Sequence, residues 1–160
     1  MPKYFENGAI LLIRGFKFED NPDEQRDKIL IVLHCDANNV FLIFSKTTSQ
    51  PIVPDEDLNH GCTNSSERGL SFFMFKKDRT VGENDFSFDK DTIVTFIQNT
   101  RKVPINYFSE YISNSKLSIL GQLTSTEYKR ILKCACGSKV IPKGVKSILL
   151  KAKAENQEST

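Results

Sequence analysis

The chain predicts a mainly β fold closed off by C-terminal helices, and three observations lead there. Apolar runs of strand length fill the first hundred residues: Ala9–Ile13, Ile29–Leu33, Val40–Phe44, Leu70–Phe75 and Thr92–Ile97. Turn-forming Gly, Pro, Asn and Asp separate them. Beyond Pro104 the apolar spacing switches to the helical period. Five strands in about 90 residues is the pattern of a small barrel or sandwich, and a small β-barrel with C-terminal helices is the expected architecture.

Each element has its own signal. Gly8 and Gly15 bracket the first strand. The acidic stretch 19–27 contains Pro22 and no apolar anchor, which predicts an exposed, mobile loop. Ile29–Leu33 is a continuous apolar run rich in β-branched residues, typical of a strand buried on both faces. Asp36, Asn38 and Asn39 supply the turn of a hairpin whose return strand is Val40–Phe44. Residues 50–69, with two Pro, two Gly and little apolar content, read as a long excursion, and Val81–Phe86 as a turn-rich connection.

Pro104 suits the first position of a short helix to about Ser113, with Tyr107, Phe108 and Tyr111 on one face. Thr124 and Glu127 form a capping box for a helix carrying Tyr128, Ile131, Leu132 and Ala135, which Gly137 closes. A further turn or two of helix is expected between Pro142 and Lys151. The expectation is a single domain over residues 1–153, with 154–160 as a frayed tail.

Composition narrows the function classes. The 160 residues are 39% hydrophobic and 26% charged, an ordinary globular balance. No run approaches the ~18 apolar residues of a membrane span, and the start lacks the apolar core of a signal peptide, so a cytoplasmic protein is expected. A chain this size needs no crosslinks, so Cys35, Cys62, Cys134 and Cys136 are expected to be reduced thiols.

The net charge of +2 is uneven: residues 1–100 hold 11 basic against 16 acidic groups, and residues 101–160 hold 11 against 4. A basic C-terminal third suits an anionic partner such as nucleic acid; a solvated helix face accounts for the same lysines.

His34–Cys35, His60–Cys62 and Cys134–Cys136 lack the paired spacing of a zinc site. On a helix, positions two apart point to different faces, so Cys134 and Cys136 read as small core residues. Neither His–Cys pair sits in a nucleophile motif, and no Gly-rich phosphate loop or dinucleotide fingerprint occurs, so neither metal nor cofactor is expected.

One order of motifs remains. Gly8-Ala-Ile-Leu-Leu-Ile13 opens the chain, and Arg26-Asp27-Lys28 precedes the strand Ile29–Leu33. Ser45-Lys46-Thr47-Thr48-Ser49-Gln50 ends the next strand, and Gln98-Asn99-Thr100-Arg101-Lys102 leads toward the helices. This order resembles the PemK/MazF-like toxins, small SH3-like barrel proteins that cleave single-stranded RNA without metal. About 100 of the 160 residues take part, interrupted near 50–85. Ala9 stands where that family carries an acid, and no Arg-Pro precedes Ile29.

The resemblance implies an endoribonuclease that works as a homodimer, is restrained by an antitoxin protein and needs no cofactor. It implies catalytic roles for Arg26, Lys28, Thr47 and Thr48, and RNA contacts from Lys46, Gln50, Arg101 and Lys102. The chemistry is self-consistent: a cation stabilises the charge of a pentacoordinate phosphate, and a Thr hydroxyl donates to a non-bridging oxygen. The rival reading is a non-catalytic barrel that binds nucleic acid or a protein partner. In that reading Phe72, Phe73 and Phe75 offer stacking surface or, more plainly, core.

Overall fold

The computed structural model describes residues 4–18, 21–47, 59–65, 67, 69–96 and 100–158, with the backbone alone at 17–18, 21–26, 46–47 and 156–158. One antiparallel sheet organises it. Its strands are β1 (Ala9–Phe18), β2 (Asn21–Cys35), β3 (Asn39–Thr47), β4 (Gly61–Ser65), β5 (Leu70–Phe75), β6 (Thr92–Thr95), β7 (Thr100–Pro104) and β8 (Leu117–Gln122). They lie in the order β4-β5-β6-β3-β2-β1-β8, with β7 also paired to β3. Among the described residues β4 and β8 end the sheet without pairing to each other.

Strand alternation explains the continuous apolar runs. Ile31 and Leu33 on β2, with Phe41 and Ile43 on β3, join one core, which is completed by Phe73, Phe75 and the helices. Leu30, Val32, Val40, Leu42 and Phe44 face the other way and pack with Leu11, Ile13, Phe16 and Phe108. A sheet covered on both faces needs no polar stripe, and these strands carry none.

The helices are α1 (Ser109–Ser113), entered through a 3₁₀ turn over Ile105–Phe108, α2 (Ser125–Gly137) and α3 (Lys143–Glu158). Pro104 is the residue before that turn. The Thr124 side chain accepts from the Glu127 N–H at 3.2 Å and caps α2. Tyr128, Ile131, Leu132 and Ala135 of α2 pack with Leu149 and Ala152 of α3 against the sheet.

Several expectations are corrected. Residues 21–27 are not a loop but the first half of β2, because β1 runs on past Ile13 and supplies their pairing edge. Gly15, at φ +63°, makes the irregularity in β1, and its N–H is held by Asp27 Oδ1 at 3.0 Å. Within the expected 50–69 excursion, Gly61–Ser65 forms β4, a short polar edge beside the apolar β5. Residues 100–104, for which no strand is expected, form β7, because the first half of β3 offers them a pairing edge, and Pro104 ends that strand rather than opening a helix. β8 had no clear signal, since the irregularity between Gly121 and Ile119 breaks its alternation. The last helix reaches Glu158, so residues 154–158 are helical rather than frayed.

The thiols need the largest correction. Cys62 and Cys134 are joined in a disulfide 72 residues apart in sequence, while Cys35 and Cys136 are free. The β4–β5 hairpin docks on α2 and brings the two Cα atoms within 5.6 Å. Asn64 fixes that approach by donating from Nδ2 to the Cys134 carbonyl at 3.0 Å.

Candidate functional site

The two antiparallel strands β2 and β3 bring the middle of one beside the end of the other. The ladder pairs Ile31 with Ile43 and Leu30 with Phe44, and Ser45 Oγ donates to the Ile29 carbonyl at 3.2 Å. One residue further along β2 is Lys28; one and two further along β3 are Lys46 and Thr47. Backbones of adjacent strands lie about 5 Å apart, and the register carried on from Leu30–Phe44 sets Lys28 across from Lys46, with Thr47 one step further along β3, across from Asp27. Arg26, two residues before Lys28, is the register partner of Phe16 on β1. On its other side, β3 pairs Lys46 with Ile93 and Thr47 with Thr92. Thr48 and Gln50 lie outside the described residues, as do the side chains of Arg26, Lys46 and Thr47.

An aromatic wall stands beside this end. Phe16 packs on Phe44 with ring centroids 5.2 Å apart and stacks on Tyr111 at 6.1 Å. Tyr107 meets Phe16 edge-on at 6.5 Å and is 40% exposed, so it presents a ring to solvent. The i, i+4 spacing of Tyr107 and Tyr111 puts both rings on one side of the turn entering α1. Lys28 is half-buried and opposite Ile13, which is fully buried.

Arg101 and Lys102 are exposed on β7, opposite Leu42 and Phe41. They lie about four residues, roughly 13 Å, down β3 from Lys46. They flank the sheet end without joining it. Phe72, Phe73 and Phe75 are at most 1% exposed, so they are core and offer no stacking surface.

A second polar cluster went unseen in the sequence. Glu127, 5% exposed, accepts from His60 Nε2 at 3.0 and 3.1 Å and from Arg130 Nη1 at 3.2 Å. His60 Nδ1 accepts from the Lys76 N–H at 3.3 Å, which assigns the ring proton to Nε2. The His60 ring stands edge-on to Phe73 and Phe75, and the Arg130 guanidinium lies 6.0 Å from the Phe73 ring centre. Every nitrogen of that imidazole is satisfied within the protein, so the cluster joins β4 to α2 rather than serving a reaction. Sequence distance hid it, since 67 residues separate His60 from Glu127. The capping-box position marked Glu127, but its carboxylate turns to His60 instead.

Burial holds His60 below the ordinary imidazole value, opposed by its bond to Glu127. The unfolded chain therefore takes up a proton near pH 6.5, before the folded protein does. Stability is expected to be flat above that value and to fall as the pH drops below it. Melting temperature should decline between pH 7 and 5.5, and His60→Gln should flatten that decline. Equal slopes in the two proteins would show that His60 is not the group responsible.

Among the described residues no three metal-ligating side chains converge. No protein-family model, curated protein or solved structure matches the chain.

Proposed function

We propose that the protein is a metal-independent, single-strand-specific endoribonuclease of the toxin–antitoxin kind, PemK/MazF-like in its SH3-like barrel, its dimerisation and its restraint by an antitoxin. Its RNA substrate places it in the cytoplasm. The supporting observation is the β2–β3 register, which brings Lys28 to the stretch of β3 that ends in Lys46 and Thr47, near the wall of Phe16, Tyr107 and Tyr111. A single strand offers bases to stack on the exposed Tyr107 ring, and its phosphate lies toward the cation end. The ribose 2′-hydroxyl attacks the adjacent phosphorus, the 5′-oxygen leaves, and a 2′,3′-cyclic phosphate remains. Lys28 and Arg26 stabilise the developing charge, and the hydroxyl of Thr47 or Thr48 donates to a non-bridging oxygen. Ala9 fits this chain: the position is 1% exposed within an apolar cluster, where an acid would have no partner.

Exposure favours a second reading. Tyr107, Arg101 and Lys102 are all exposed, and one ring with two cations suffices to hold a strand without cutting it. Incubating the purified protein with a long single-stranded RNA in EDTA separates the two. Cleavage to cyclic-phosphate ends is expected. Binding without cleavage would leave a recognition module, and strict Mg²⁺ dependence with 3′-hydroxyl ends would mean a two-metal nuclease.

A further inference from the structure

The junction of β4 with α2 carries a chemistry that its packing does not use. Cys62 is exposed, whereas Cys134 is 2% exposed, so the disulfide runs from the surface into the core. Asn64 Nδ2 lies 3.6 Å from the Cys62 sulfur and 3.8 Å from that of Cys134, a donor to either one as a thiolate. The Arg130 guanidinium, paired with Glu127, lies over Gly61, the residue before Cys62, where an added Cβ would meet its Nη2 at 3.1 Å. The Cys134 sulfur also lies 3.4 Å from the Phe72 carbonyl, an acceptor waiting for its proton once the bond is open.

We propose that Cys62–Cys134 is a reversible thiol–disulfide exchange site whose substrate is a dithiol reductant, and that reduction undocks the edge strand β4 from α2. This rests on the cytoplasmic setting of the proposed function, where disulfides are transient rather than permanent. A thiolate of the dithiol attacks the exposed Cys62 sulfur, the Cys62–Cys134 bond breaks, and Cys134 leaves as a thiolate. The second thiolate of the reductant then attacks its own sulfur in the mixed disulfide and releases Cys62. The dithiol is oxidised to a disulfide by two electrons, and its two protons end on Cys62 and Cys134. Cys136 does not intercept the exchange, because it is buried and its side chain leaves α2 in a different direction from that of Cys134.

Structurally, the bond pins the hairpin to α2 near a cavity of about 360 Å³ lined by Asn64, Ser71, Gly137, Lys139 and Val140. Without it, β4 is held by β5 on one side and by the His60–Glu127 and Asn64–Cys134 contacts. End strands with one neighbour open first.

The test uses the full chain under native conditions, with dithiothreitol as the probe, alkylation to count thiols and amide exchange to follow the backbone. Two new labels, at Cys62 and Cys134, are expected within minutes and should vanish on reoxidation. Amide exchange over residues 61–65 should rise about tenfold while that of residues 128–132 stays unchanged. The Cys62→Ser/Cys134→Ser double variant should exchange at 61–65 like the reduced protein and ignore the dithiol.

The proposal is overturned by labels that appear only at the rate of global unfolding, by oxidised protein without the bond, or by labelling that leaves 61–65 as protected as before. Neither readout involves RNA, so a failure here is distinct from a failure to cleave.

Discussion

Replacing Lys28 with methionine is expected to slow single-turnover RNA cleavage about a hundredfold, equivalent to roughly 3 kcal/mol of transition-state stabilisation. Methionine is preferred to alanine because Lys28 is half-buried in β2, beside Ile13 and Leu30, rather than exposed on a loop. Its stem contributes packing as well as charge, so an alanine variant would mix lost stability with lost rate. Lys28→Arg keeps the charge and should retain most of the rate if the cation only stabilises phosphate; if Lys28 also moves a proton, arginine fails. Thr47→Val keeps the branched shape and should lower the rate while leaving RNA affinity nearly unchanged. Arg101→Ala and Lys102→Ala, on exposed positions away from the sheet end, should weaken affinity in a salt-dependent way with little effect on the bound rate. Single-turnover rates, affinities and melting curves on the same variants separate these roles. Wild-type cleavage by both an Arg26/Lys28 double variant and a Thr47/Thr48 double variant would remove the site.

What the residues disclose in advance is governed by the range of the interactions involved. Runs such as Ile29–Leu33 and Val40–Phe44 announce their strands locally, because burial on both faces demands apolar side chains at every position. The Thr124 cap is equally local, since donor and acceptor sit three residues apart. Strands defined by their neighbours are silent. Gly61–Ser65 is polar and is a strand only because β5 supplies its ladder, and Asn21–Asp27 extends only because β1 continues past Gly15. The candidate site divides the same way. Tyr107 and Tyr111 share a face by helical spacing, whereas their contact with Phe16 joins segments about 90 residues apart. The disulfide is silent for a related reason: chain length says a crosslink is unnecessary, but hairpin docking decides whether two sulfurs meet.

Glu127→Ala is expected to destabilise the fold by about 3 kcal/mol, although the residue lies on a helix surface pattern that reads as a simple cap. The carboxylate is 7% exposed and accepts from His60, whose side chain is 3% exposed. Alanine leaves the Nε2–H of His60 without an acceptor inside the protein, and an unsatisfied buried donor costs about 1–3 kcal/mol. The emptied side-chain volume between α2 and β4 adds to this. Arg130 contributes less, since its side chain is 41% exposed and solvent screens its half of the pair. Glu127→Gln retains an oxygen for His60 at nearly constant shape and should cost about 1 kcal/mol. The cap itself survives both changes, because Thr124 Oγ1 accepts from the backbone N–H of residue 127 and not from its side chain. Urea unfolding of the oxidised proteins at pH 7.5 measures these differences with the disulfide held constant. In a double-mutant cycle, His60→Ala should cost much less once Glu127 is gone, with a coupling of about 1–2 kcal/mol. Additive losses would mean that the two side chains act separately, and the bond between them would then play no part in holding β4 on α2.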